Sequence, residues 1–194
     1  PESGRLIEAA LELGLPEGPR ILDVGTGSGC LGLTLALELA GARVVMTDLS
    51  PAALAVAALN VRRHGLGERV SLVAGDLTSA LAPRGFDLVV ANPPYVDLAV
   101  GGSLSREITD FEPSAALFAP NRGLAVLERL TSELASLRPG TPVLLEIGYD
   151  QADAIRRIAG TAGLELAEIR ADLAGHPRVA VLAGSASPSA QDGR

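Results

Sequence analysis

Apolar positions along the 194 residues follow two rhythms. Helical spacing marks residues 5–13, 31–39, 51–63, 124–137 and 151–162, where apolar side chains return every three to four positions. Short unbroken apolar runs at 20–24, 43–47, 70–74, 86–91 and 143–147 read as buried strands, with 164–170 and 178–182 as a closing pair. The punctuation agrees with this division. Pro16 and Gly18 break the first helix and Gly41 closes the second. Ser50-Pro51 opens the third with a capping hydroxyl and a first-turn proline, and that helix stops near Gly65. Pro139-Gly140 ends the fourth. Strands alternating with helices predict an α/β fold, a mostly parallel sheet with helices on both faces.

Two stretches fall outside the rhythms. Residues 93–121 lack clear periodicity and carry several prolines and the Gly101-Gly102 pair; a segment this long without regular structure is more often functional than idle. Residues 184–194 are small and polar and are expected to form a disordered tail, leaving one domain over 1–183. Pro1-Glu2-Ser3 reads as the middle of a longer protein rather than a natural start.

In a sheet of this kind ligands bind beyond the carboxyl ends of the strands, so the residues that follow strands carry the chemistry. The first strand runs into Gly25-Thr26-Gly27-Ser28-Gly29, where glycines let the backbone turn tightly and approach a ligand. Two patterns overlap here. Gly27, Gly29 and Gly32 form G-x-G-x-x-G, the dinucleotide fingerprint. Asp23 with Gly25, Gly27 and Gly29 forms D-x-G-x-G-x-G, a methyltransferase pattern that needs an acid at the strand end and no phosphate. Asp23 fits the second better; a tight turn without a ligand is the bland alternative. Asp48 ends the second strand and can accept both hydroxyls of a ribose. Asp76 follows the third; it can accept an adenine amine with Leu77 packed near the ring, or simply cap a helix.

The fourth strand leads into Asn92-Pro93-Pro94-Tyr95. Two prolines fix the backbone and remove two N–H donors. What remains is a rigid rim of acceptors, the Asn92 side-chain oxygen and the Pro93 carbonyl, suited to a substrate NH2 group. Tyr95 offers a flat face for a planar group. Asn92, Pro93 and Tyr95 are therefore the candidate catalytic contacts, with Pro94 completing the substrate-binding motif. The bland alternative is a proline turn at a strand end. Cys30, at a helix N-terminus, reads as a packing residue. His64 and His176 stand apart from any companions at ligand spacing, so no metal is expected.

Composition narrows the choice of substrate. The formal net charge is −7 and the pI about 4.8, with no basic cluster of the kind that binds duplex DNA or long RNA. All 16 basic residues are Arg. The absence of Lys excludes P-loop and Schiff-base lysines. No run approaches the roughly 20 apolar residues of a membrane span, and no signal peptide is visible. A single cysteine fits a reducing cytoplasm.

Together these motifs resemble the HemK-type protein-(glutamine-N5) methyltransferases, which modify the Gln of the Gly-Gly-Gln motif in peptide-chain release factors. The resemblance runs from Pro1 to about Leu182. Asn-Pro-Pro-Tyr alone is shared with enzymes that methylate adenine N6 or guanine N2. More specific are Asp110-Phe111-Glu112-Pro113 with Ala116-Leu117, Gly123-Leu124, Glu146-Ile147-Gly148-Tyr149-Asp150-Gln151, and Asp172-Leu173-Ala174-Gly175 followed by Arg178-Val179. The resemblance implies a Rossmann-like class I methyltransferase fold, seven-stranded with an antiparallel C-terminal strand. It implies S-adenosyl-L-methionine as cofactor, held by Gly25, Thr26, Gly27, Ser28, Gly29, Asp48, Asp76, Leu77 and Asn92. Asn92, Pro93, Pro94 and Tyr95 would hold the glutamine, and a release factor would be the partner. The chain departs from the family in lacking its N-terminal helical docking domain, in Leu77 where many members have Trp, and in Ile147 where His is common. Glu112 reads equally as an organiser of the substrate loop or a turn cap. Base methylation of nucleic acid is the alternative, and the acidic charge argues against it. A nicotinamide-dependent oxidoreductase and a non-enzymatic binding module complete the range.

Overall fold

The computed structural model describes residues 3–93, 96–97, 118–119 and 124–185. Helix α1 spans Ser3–Leu11; β1, Arg20–Val24; α2, Cys30–Glu38; β2, Arg43–Asp48; α3, Pro51–Arg63; and β3, Val70–Ala74. A 3-10 turn at Pro83–Gly85 precedes β4, Leu88–Ala91. Two short strands follow, β5 at Val96–Asp97 and β6 at Phe118–Ala119. Then come α4, Ala125–Leu134; β7, Pro142–Glu146; α5, Ala152–Thr161; β8, Leu164–Ala171; and β9, Pro177–Gly184.

Seven strands form one sheet in the order β3-β2-β1-β4-β7-β9-β8. The first five run parallel, and β9 lies antiparallel to both β7 and β8. The expected fold class is borne out. Alternation along each strand splits the interior into two cores. Ile21, Val44, Met46, Leu88, Val90 and Leu144 face α1, α2 and α3. Leu22, Val24, Val89, Ala91, Val143 and Leu145 face α4 and α5. Strands buried on both faces are why these segments read as unbroken apolar runs.

Most element boundaries shift by one or two residues from the sequence reading, and four differences have a structural reason or consequence. Phe86 and Asp87 lie before β4 rather than in it, because Pro83 starts a 3-10 turn and Asp87 instead holds the β1 entry, accepting from the Arg20 amide at 2.9 Å. The fourth helix ends at Leu134, three residues early. Gly184 belongs to β9, where its amide donates to the Thr141 carbonyl at 3.1 Å, so the strand outlasts the point where the tail was expected; residues 186–194 lie outside the described residues. Within the segment read as irregular, β5 pairs in parallel with β6, Val96 opposite Phe118. Among the described residues no helix is long and apolar enough to cross a membrane.

Candidate functional site

All five parallel strands end on one rim. The chain leaves β1 for β2 and β3 on one side and returns as β4 on the other, so the rim opens between β1 and β4. That reversal in strand order is where a sheet of this type forms a ligand crevice.

Asp23 sits one residue before the end of β1 and is only 1% exposed. Its Oδ2 accepts from the Thr26 hydroxyl at 2.5 Å and from the Gly32 amide at 3.0 Å. Gly29, at the start of α2, has no side chain to cap it, so Asp23 caps the first turn from within the sheet, at the positive end of the helix dipole. Burial pushes the Asp23 carboxyl up to about 6; the bonds from Thr26 and Gly32 oppose that rise and nearby Asp48 adds to it. The close approach explains Gly32. A Cβ there would stand 2.7 Å from Met46 Cε and 2.8 Å from Asp23 Oδ2.

Above this anchor the glycine loop is tightly held. Gly25, Gly27 and Gly29 have φ of 70°, 58° and 85°, values that favour glycine. The Thr26 amide donates to the Thr47 carbonyl at 2.9 Å, and Asn60 Nδ2 of α3 donates to the Ser28 carbonyl at 2.9 Å. A Cβ added at Gly25 or Gly27 would meet nothing within 4 Å, so both glycines border open space.

Asp48 closes β2 beside this loop. Its Oδ2 accepts from the Gly27 amide and its Oδ1 from the Ser50 amide, both at 2.8 Å. Each oxygen keeps lone-pair capacity for a hydroxyl. Leu49, next in the chain, is 70% exposed on the same rim. Asp76 does not cap a helix. Its Oδ2 accepts from Arg129 of α4 at 2.8 Å. Leu77 adopts φ 52° and packs against the second core.

Asn92 follows Ala91, which registers with Val24 on one side and Leu145 on the other. It therefore emerges between the start of the glycine loop and Glu146 at the end of β7. Asn92 is exposed and Pro93 buried. Pro94, Tyr95, Asp110, Phe111, Glu112, Pro113, Ala116, Leu117 and Gly123, like Pro1 and Glu2, lie outside the described residues.

The hairpin between β8 and β9 also reaches this rim, because β9 runs against β7 and starts where β7 ends. Asp172 organises its turn by accepting from the Ala174 and His176 amides, each at 2.9 Å, and from Arg178 Nε at 3.2 Å. The His176 amide is the main reason its carboxyl lies below the usual range. The Tyr149 and His176 rings meet edge to face, 6.1 Å apart.

The structure thus gathers Gly25 to Gly29, Asp48, Asp76, Leu77, Asn92 and Pro93 on one rim. Sequence reasoning missed three contributors. Leu49 was visible as a leucine directly after a strand-end acid. Asn60 and Arg129 act across long separations and left no local signal. Chemically, the rim presents carboxylates where a pyrophosphate would need positive charge, and Asp23 already occupies the α2 terminus. This geometry favours the methyltransferase pattern over the dinucleotide one. Among the described residues no group of His, Cys, Asp or Glu is placed to hold a metal ion.

Comparison with known proteins agrees. Residues 5–110 match the family model for the methyltransferase small domain. The release factor glutamine methyltransferase of Koribacter versatilis is 42% identical over 185 residues, covering 93% of this chain and 64% of that protein. The enzyme of the same name from Nitratidesulfovibrio vulgaris is 43% identical over 183 residues, covering 92% and 62%. The chain thus spans under two thirds of the length of these relatives. Among solved structures, the ribosomal protein L11 methylase of Lactobacillus delbrueckii subsp. bulgaricus superposes with a TM-score of 0.68 at 21% identity, covering 95% of this chain and 78% of that one. The resemblance drawn from the motifs is borne out by these relatives.

Proposed function

The chain belongs to the methyltransferase small domain family, and from that premise we propose that it transfers a methyl group from S-adenosylmethionine to the side-chain amide nitrogen of a glutamine in a peptide-chain release factor. The observation that carries the reading is the adjacency of two loops. Asn92 and Pro93 leave β4 one strand away from the glycine loop and Asp48, at the reversal in strand order.

The residues present fit the cofactor. Open space over Gly25 and Gly27 admits it, Asp48 accepts ribose hydroxyls, and Asp76 accepts the adenine amine, with Leu49 and Leu77 as apolar neighbours. The carboxylates of the rim favour positive charge. When bound, S-adenosylmethionine supplies a methyl group on a positively charged sulfur, open to attack by a nitrogen lone pair.

An amide nitrogen is a weak nucleophile because its lone pair is delocalised into the carbonyl. The Asn92 oxygen and the Pro93 carbonyl accept its two hydrogens, hold it in line at a reacting distance of roughly 3–3.5 Å, and favour charge build-up on nitrogen. The roles expected of Pro94 and Tyr95, to stiffen the rim and to face the amide plane, fall on residues outside those described. The compartment that suits this substrate is the cytoplasm.

The test is incubation of the chain with methyl-labelled cofactor, a release factor and tRNA in parallel. Label is expected on the release factor and absent after its Gly-Gly-Gln glutamine is changed to Ala. Unchanged labelling of that variant, or label on the RNA instead, overturns the assignment.

A further inference from the structure

One backbone conformation on the rim is unexplained by folding alone. Among the described residues Leu77 is the single non-glycine residue at positive φ. A leucine held there is strained and persists only where its surroundings over-determine it.

The surroundings that do so come from α4. Thr78 is 4% exposed, and both its amide and its hydroxyl donate to the same oxygen, Glu133 Oε2, at 2.9 and 2.7 Å. Two residues earlier, Asp76 is held by Arg129, one helical turn before Glu133. Arg129 also stands 3.9 Å from Glu133 Oε1. The start of the loop is tied to the ribose-facing acid, since the Gly75 amide donates to the Asp48 carbonyl at 3.1 Å. Helix α4 is a firm base, with Leu127, Leu130 and Leu134 fully buried.

We infer that Glu133 is a positioning residue for the adenine-facing loop. By gripping Thr78 twice it holds Leu77 in its left-handed conformation, and so aims the Asp76 carboxylate at the exocyclic amine of the adenine. The inference rests on the methyltransferase reading above. Glu133 touches neither cofactor nor substrate; it acts through Thr78, Leu77 and Asp76. A glutamine in its place keeps an acceptor oxygen of the same reach, whereas alanine removes it.

The experiment is calorimetric binding of S-adenosylhomocysteine and of its inosine analogue, which lacks the amine. The intact chain is compared with Glu133→Ala and Glu133→Gln. The unaltered chain is expected to prefer the adenine compound at least tenfold. Glu133→Ala should bind it about tenfold more weakly and lose most of that preference, while Glu133→Gln should stay within threefold of the unaltered chain in both respects. Retained affinity and preference in Glu133→Ala, or equal loss in Glu133→Gln, overturns the inference. If Glu133→Ala does not fold, Thr78→Val removes one of the two bonds and should lose part of the same preference; an unchanged preference there overturns it too. Failure of the unaltered chain to bind S-adenosylhomocysteine at all would instead overturn the underlying methyltransferase reading.

Discussion

The Thr26 hydroxyl donates to Asp23 Oδ2 at 2.5 Å, joining the exposed glycine loop to a carboxylate sealed in the core. The same oxygen receives the Gly32 amide, so one buried atom fixes both the loop and the helix that follows it. Three features of the sequence, an acid at a strand end, a threonine three residues on and a glycine nine residues on, are one structural device.

A pH dependence follows from this device. Burial raises the Asp23 carboxyl from 3.8 to about 6, so the folded state holds its proton more tightly than the unfolded chain does. The corresponding stability is fully present below pH 3.8 and is lost as pH rises through about 6, amounting to about 3 kcal/mol. Asp23→Asn keeps an acceptor and abolishes the titration. Urea unfolding of both proteins at pH 4 and pH 7 should show the variant gaining relative to the unaltered chain by that order as pH rises. A constant difference across the range would refute the account.

Gly32 and Gly27 should fail in different ways when changed to Ala. At Gly32 the new methyl meets Met46 and Asp23 inside 3 Å, so the expected loss is one of folding, about 1–3 kcal/mol. At Gly27 it meets nothing but carries φ 58° into the open space of the crevice. The expected loss there is mainly one of cofactor affinity, with a modest drop in thermal midpoint. Thermal melts with and without S-adenosylhomocysteine separate the two.

Asp48→Ala removes the acceptor for the Gly27 and Ser50 amides together with the proposed ribose contact. Affinity for S-adenosylhomocysteine should fall on the order of 10- to 100-fold. Equilibrium dialysis measures it directly, and an affinity within twofold of the unaltered value would remove Asp48 from the site.

Asn92→Ala should separate binding from turnover. Asn92 is exposed at the rim and lies outside both cores, so the variant should remain folded, as a thermal melt would show. We expect kcat to fall on the order of a hundredfold or more, with cofactor affinity changed only a few fold. Single-turnover labelling of a release factor is the measurement. Full activity in this variant would exclude Asn92 as the holder of the substrate nitrogen.

Much of this architecture was legible because the inner parallel strands β1, β4 and β7 are buried along nearly their whole length and are bracketed by glycine or proline. Ser50 and Pro51 announced α3 correctly, and the Ser50 hydroxyl does accept from the Ala53 amide at 3.2 Å. The glycine loop was legible because φ near 60–85° leaves few alternatives to glycine. The joining of Arg129 to Asp76 and of Glu133 to Thr78 was not legible. Those pairs are 53 and 55 residues apart, and their charges read locally as the solvated face of a helix. Leu49 escaped because an exposed leucine is ordinary on any surface and gains meaning only beside Asp48.

The reversed direction of β9 has a practical consequence. It carries the chain away from the crevice, so that Gly184 finishes beside Thr141, at the pole where β7 begins. A fluorophore, an affinity handle or an immobilising tether joined at Ser185 itself would sit a full strand length from the rim, leaving the crevice unobstructed.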